Sequence, residues 1–127
     1  MLLGGVRATA WMLALLVALP AMADNADLVR GERIFITQCA GCHAVTPDSH
    51  RAGPSLHNIL NRPAGAIAGF EYSPGMEDAD LLWTPEVLDA FLENPEQVVP
   101  GTRMVFWGLD ARERELVIRY LREISSD

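Results

Sequence analysis

Apolar residues recur along this chain in three helical rhythms preceded by one unbroken run, ATAWMLALLVAL, at residues 8–19. The first rhythm covers about Asp27 to Gln38, with Leu28, Gly31, Ile34 and Phe35 on one stripe. The second opens at Thr84, a good N-cap, with Pro85 at the first helical position and Glu86 beside the positive end of the helix dipole. Its buried face would be Leu88, Phe91 and Leu92, and Asn94-Pro95 stops it. The third starts at Asp110, with Glu113 spaced for a capping box, and places Leu116, Val117, Tyr120, Leu121 and Ile124 on one face. No window alternates long enough to argue for a sheet, so the pattern predicts an all-α fold with three main helices.

Between the first and second helices lies a stretch rich in Gly, Pro, Asn and Asp, GPSLHNILNRPAGAIAGFEYSPGMEDAD. A compact domain rarely holds so long an irregular segment unless it folds around something. Leu56 to Asn61 reads as a short helix within it, and the remainder calls for a ligand to pack on.

The apolar run changes the domain count. Arg7 precedes it as the only charge, and Ala21-Met22-Ala23 supplies small residues at a cleavage-site spacing. A bilayer-spanning helix needs about 20 apolar residues, and this run has 12. Residues 1–23 are therefore expected to be a cleaved signal peptide, leaving 24–127 as a single exported domain in the periplasm, with no stable membrane insertion after cleavage. The whole chain has a formal charge of −7, and loss of Arg7 makes it −8; there is no lysine. That excludes the usual basic face for nucleic acid or for an anionic membrane.

Both cysteines sit in one pentapeptide, Cys39-Ala40-Gly41-Cys42-His43, at the end of the first helix. This is the C-x-x-C-H signature of covalent haem attachment. Two thiols at this spacing reach the two vinyl groups on one haem edge as thioethers, and the next residue brings an imidazole to the iron. A disulfide across so short a loop stabilises little, a thioredoxin-like pair needs a βαβ setting, and zinc needs four ligands. The spacing thus favours one haem c, bound through Cys39 and Cys42 with His43 on the iron.

The second axial ligand is sought among what remains after leader removal: Met76, Met104, His50 and His57. The histidines follow the attachment site closely, in a segment expected to wrap the proximal side. Met76 lies in an acidic, polar turn, SPGMEDAD, where a ligand is hard to keep dry. Met104 follows a Pro-Gly turn, and Val105, Phe106 and Trp107 are expected to exclude water around it. Met104 is the favoured ligand, with core filling as its alternative.

With these residues in place, the mature chain resembles class I c-type cytochromes of the mitochondrial cytochrome c and bacterial cytochrome c2 kind, over almost its full length. The resemblance implies a class I fold in which short helices and loops join the three main helices around one covalent haem c. It implies that Gly31 and Phe35 pack on Tyr120 and Leu121, that Pro54 in GPSLH borders His43, and that His50 bridges loops. It implies that Arg62, Tyr72, Trp83 and Thr102 hydrogen-bond or screen the haem propionates, and that LENPEQVVPGTRMVF carries the methionine ligand, Met104. Phe91 stands where relatives often have a tyrosine reaching the ligand sulfur, and Met76 where they have an asparagine. The family's lysine ring is absent, leaving Arg51, Arg62 and Arg103 as candidates to orient a partner.

The expected function follows: a soluble, monomeric, monohaem electron carrier, not an enzyme, shuttling single electrons between respiratory or photosynthetic partners. Those partners would be a quinol-oxidising complex, a terminal oxidase, a reaction centre or a dehydrogenase. The alternatives are a haem subunit or dedicated acceptor of a periplasmic dehydrogenase and, further off, a five-coordinate gas-binding or peroxidase-like protein.

Overall fold

The computed structural model describes the backbone of residues 8–125 and side chains from residue 21 onward. Of the expected leader, residues 1–7 lie outside the described residues, while the backbone of 8–23 is helical and continuous with the first helix expected from about Asp27. The first helix, α1, spans Ala8–Ile34 and widens into a π-helical turn at Phe35–Cys39. Two short helices, α2 (Pro74–Glu77) and α4 (Pro95–Val98), flank α3 (Pro85–Glu93), and α5 (Ala111–Glu123) closes the chain. Among the described residues the only sheet-like pairing is an isolated bridge between Pro63 and Leu82. No helix among them is long and apolar enough to cross a membrane.

The helices start where their caps dictate. Thr84 Oγ1 accepts from the Val87 amide at 3.3 Å, with Pro85 behind it. Asp110 and Glu113 form a reciprocal capping box: each side chain accepts from the other's amide, at 2.9 and 3.1 Å. Asn94 has extended backbone, so it ends α3, and its side chain caps α4 through the Gln97 amide.

Helix α5 is the hub. Its buried residues Leu116, Val117, Ile118 and Leu121 meet α1 on one side and Leu88, Phe91 and Leu92 of α3 on another. Each such side chain contributes about 1.5–3 kcal/mol on burial. The α1 contact is close because Gly31 lacks a side chain: a Cβ there would lie 2.3 Å from the Leu116 carbonyl oxygen. One turn on, the Phe35 and Tyr120 rings pack 5.6 Å apart, as the resemblance implied. Outside this seam, Arg112 reaches Asp27 at 2.9 Å and Arg119 reaches Asp24 at 2.7 Å. Arg114 is buried at the α3–α5 crossing, donating to Asp89 at 2.9 Å and to the Leu109 carbonyl at 2.8 Å.

The segment expected as a short helix at Leu56 to Asn61 is a pair of turns instead. Asn58 and Asn61 adopt φ of +50° and +61°, the left-handed region that asparagine tolerates and a helix cannot include. The irregular stretch is stitched to its neighbours through the backbone. Gly53 N donates to Cys42 O at 2.8 Å and Leu56 N to Ala44 O at 2.8 Å; Asn61 N donates to Trp83 O and Trp83 N to Arg62 O, both at 2.9 Å. His50 bridges two loops as expected, accepting from the Ser55 amide at Nδ1 and facing the Ala68 carbonyl with Nε2 at 3.0 Å.

Candidate cofactor site

The π turn at the end of α1 positions the cysteines. Thr37 Oγ1 bonds back to the Arg33 and Ile34 carbonyls at 2.9 and 3.2 Å, and the Ala40 amide reaches Phe35 O at 2.9 Å. The Cys39 carbonyl then accepts from both the Cys42 and His43 amides, at 3.0 and 2.9 Å, curling the pentapeptide into a tight knot. Cys39 is half-buried, Cys42 is exposed, and both sulfurs are free of disulfide. Burial, and after it the neighbouring Cys42, push the Cys39 thiol up to about 11. A thiol so reluctant to ionise at neutral pH is a poor redox nucleophile, unlike those of thioredoxin-like pairs.

His43 is buried, and its Nδ1 lies 2.7 Å from the Pro54 carbonyl oxygen. Only a protonated Nδ1 can make that bond, so Nε2 keeps its lone pair. Burial holds the imidazole below its ordinary range; the Pro54 bond opposes this, and Arg62 nearby adds to it. A neutral imidazole whose other nitrogen is oriented by a backbone carbonyl is the usual arrangement of a metal-ligating histidine. Gly53 makes room for the ring: a Cβ there would fall 2.2 to 2.8 Å from three of its atoms.

Met104 lies in an extended segment anchored at both ends. Glu96 accepts from the Gly101 amide at 2.9 Å, Thr102 Oγ1 accepts from the Met104 amide at 3.3 Å, and the Leu109 amide donates to Leu92 O at 3.0 Å. Gly108, at φ +89°, approaches α3 so closely that a Cβ would lie 2.4 Å from Glu93 O. Between these anchors exposure alternates with period two: Thr102, Met104 and Phe106 are half-buried, and Arg103, Val105 and Trp107 are exposed. Met104 and Phe106 pack against the core.

That alternation corrects one expectation. Val105 and Trp107 do not shield Met104; they are 87% and 97% exposed, because an extended chain sends neighbouring side chains to opposite faces. A second expectation also changes. Met76 is not a solvated turn residue: it lies on α2, half-buried and packed against the core. Ser73 caps that helix through the Met76 amide, and Gly75 abuts the Pro100 carbonyl, where a Cβ would lie 2.2 Å away. The two methionine segments therefore touch.

Arg62, Tyr72 and Trp83 are brought together. Arg62 donates to the His57 carbonyl at 3.1 Å and to the Ser55 carbonyl at 3.0 Å. Its Nε is buried without a partner, the sole such side-chain atom among the described residues. Burial lowers the Arg62 guanidinium, which the neighbouring Tyr72 opposes; burial raises the Tyr72 phenol against Arg62 and a bond to Ile67. Trp83 is buried and meets Phe91 edge-on with ring centroids 4.9 Å apart. Thr102 stands apart from this group in sequence, on the Met104 segment. Of the three arginines expected to orient a partner, Arg62 is turned inward and Arg51 donates to the Ala40 carbonyl at 2.8 Å. Arg103 pairs with Glu71 at 3.6 Å, both side chains exposed.

Ser55, fully buried, is a site residue the sequence pattern did not mark. Its hydroxyl donates to Thr46 O at 2.6 Å and accepts from the His57 amide at 3.1 Å, while its carbonyl serves Arg62. Nothing about one serine in a Gly/Pro-rich stretch announces that role. Two surface clefts, one along Pro63 to Leu82 and one between Asn58 and Ser125, include none of the site residues. The residues present fit a haem: paired thiols on one turn, an imidazole with Nε2 available, two thioethers packed against the core, and an orphaned guanidinium N–H that calls for an anion.

The family model for cytochrome c matches residues 28–125. A cytochrome c type-1 from Ascaris suum is 41% identical over 98 residues, covering 76% of this chain and 88% of its own length. Cytochromes c of Ginkgo biloba and Chlamydomonas reinhardtii are 40% and 41% identical over 106 and 108 residues, covering 82% and 84% of this chain and 94% and 96% of theirs. The all-helical architecture among the described residues agrees with the class I fold. The chain therefore belongs to the cytochrome c family, monohaem electron carriers rather than enzymes, with haem c held covalently through Cys39 and Cys42.

Proposed function

We propose that the chain is exported to the periplasm, sheds residues 1–23, and as a single soluble domain of residues 24–127 carries electrons with His43 and Met104 as axial ligands. The observation that best supports His43 as a ligand is its hydrogen bond to Pro54, which fixes the tautomer and leaves Nε2 available to an iron. Haem c supplies an iron that changes by one electron between ferrous and ferric states.

The chain's own residues set that chemistry. The Met104 thioether is a soft ligand that favours the ferrous state and so raises the potential. Phe91 is buried, and Met104 and Phe106 pack against the core it belongs to, which supports packing as what would keep the sulfur dry, since Phe91 has no hydroxyl to donate. Arg62 Nε, the Tyr72 and Thr102 hydroxyls and the Trp83 indole would hold the propionates; the orphaned Arg62 N–H is the strongest support for that assignment. With His43 and Met104 both holding the iron, no coordination position would be left for a substrate.

The partners are redox proteins: a quinol-oxidising complex, a terminal oxidase, a photosynthetic reaction centre or a periplasmic dehydrogenase. Mass spectrometry of the exported holoprotein tests the processing, with a chain beginning at Asp24 and carrying one haem as the expected result. Retention of Met1 would overturn it. Rapid carbon monoxide binding to the ferrous form would overturn the six-coordinate assignment.

A further inference from the structure

Met104 is delivered by a four-residue turn, Val99-Pro100-Gly101-Thr102, closed by the Thr102 amide on the Val99 carbonyl at 3.1 Å. Proline second and glycine third, with Gly101 at φ +78°, is the type II pattern. Its one internal bond uses the amide of the fourth residue and leaves that of the third free. Glu96 takes the free amide: its carboxylate accepts from Gly101 N at 2.9 Å. The backbone that carries Glu96 is fixed on both sides, by buried Pro95 and by Val99, which is 1% exposed and whose amide donates to Pro95 O at 2.9 Å. Beyond the turn, little else ties the segment down. Among the described residues no backbone–backbone hydrogen bond involves residues 103–108, and the next is from Leu109 N to Leu92 O at 3.0 Å. The Arg103–Glu71 pair is 3.6 Å long with both side chains exposed, and such pairs contribute little. A stretch with so few backbone bonds opens locally at far less cost than global unfolding.

We propose that Glu96 is a positioning residue for Met104, whose carboxylate holds the ligand segment shut and so sets how readily the thioether gives way to an outside ligand. The proposal rests on the reading of Met104 as an axial ligand. A hydrogen bond from an amide to a carboxylate is charge-assisted and about twice as strong as a neutral one. It acts three residues ahead of Met104, at the hinge where the segment leaves α4. The Glu96 side chain is exposed, so removing it opens no cavity in the core. An outside ligand reaches the iron only when Met104 has left it, and its apparent affinity is then its intrinsic affinity scaled by the open fraction. Loosening the hinge therefore raises that affinity without altering the haem attachment at Cys39, Cys42 and His43.

The test titrates the ferric holoprotein with imidazole, whose nitrogen lone pair takes the coordination position that the thioether leaves, with no change of oxidation state. Loss of the weak far-red sulfur-to-iron band reports the exchange. Glu96→Ala is expected to bind imidazole about tenfold more tightly than wild type, an amount equal to about 1.4 kcal/mol. That is within reach of one hydrogen bond to a charged group. Glu96→Gln keeps a carbonyl acceptor for Gly101 N and is expected to restore most of the wild-type affinity. Gln97→Ala, exposed on the same short helix, and Glu115→Ala, which removes a carboxylate elsewhere, are expected to match wild type. Unchanged imidazole affinity in Glu96→Ala would overturn the proposal. So would Glu96→Gln behaving as Glu96→Ala, or an equal gain in Glu115→Ala, since neither outcome is specific to the bond with Gly101. A wild-type protein that keeps the far-red band with imidazole bound would instead contradict Met104 as the displaced ligand, and this proposal with it.

Discussion

Nδ1 of His43 and the carbonyl oxygen of Pro54 lie 2.7 Å apart, and the residue that lets them meet is Gly53. The ring fills the space where a Cβ on residue 53 would stand, so Gly53→Ala must push either the imidazole or the 53–54 backbone. We expect a loss of about 1–3 kcal/mol in denaturant unfolding of the holoprotein, the usual cost of overpacking. Gly41, two residues before His43, is the control: a Cβ there meets nothing within 4 Å. Gly41→Ala should be neutral or stabilising by up to about 1 kcal/mol through the unfolded chain. Equal effects at both glycines would contradict the packing of His43.

The α1–α5 seam makes a similar prediction with two opposed terms. Gly31→Ala gains about 1 kcal/mol of helix propensity, yet its methyl would sit 2.3 Å from a backbone oxygen that cannot rotate away. Overpacking of about 3 kcal/mol wins, so the net loss is about 2 kcal/mol. A lower denaturation midpoint with an unchanged m-value is the expected signature. A stabilised variant would mean that the helices do not cross at Gly31.

Arg62 joins structure to redox chemistry. Removing it leaves the His57 and Ser55 carbonyls without their donor, Ser55 being fully buried, and costs about 1–3 kcal/mol. With Arg62 holding a propionate as proposed, removing its positive charge would also favour the ferric state, so the potential of Arg62→Ala should fall. A tenfold change in the redox equilibrium corresponds to about 59 mV for one electron, and the shift should be of that order. Destabilisation without any change of potential would place the orphaned Nε away from the propionates.

Much of the fold was legible because its punctuation is local. Thr84-Pro85 and the Asp110/Glu113 pair announce α3 and α5, and their apolar faces at Leu88, Phe91, Leu92 and at Leu116, Val117, Leu121 are buried as their spacing predicts. The cysteine pentapeptide gave the cofactor directly. What the pattern hid is physical in each case. The short helix expected at Leu56 to Asn61 fails because two asparagines take left-handed backbone, which composition does not distinguish from a helical asparagine. Met76 looked solvated amid acidic neighbours, but Gly75 lets α2 abut Pro100 and turns Met76 toward the core. In Met-Val-Phe-Trp both faces of an extended segment are apolar, so hydrophobicity alone cannot reveal that Val105 and Trp107 point outward.

The most direct test of the account is the visible spectrum of ferric wild-type, Met104→Ala and Met76→Ala holoproteins. Thioether bound to ferric iron gives a weak far-red charge-transfer band. With Met104 as the ligand, the band is present in wild type and in Met76→Ala and absent in Met104→Ala. Its survival in Met104→Ala with loss in Met76→Ala would transfer the ligand to α2 and contradict the central claim.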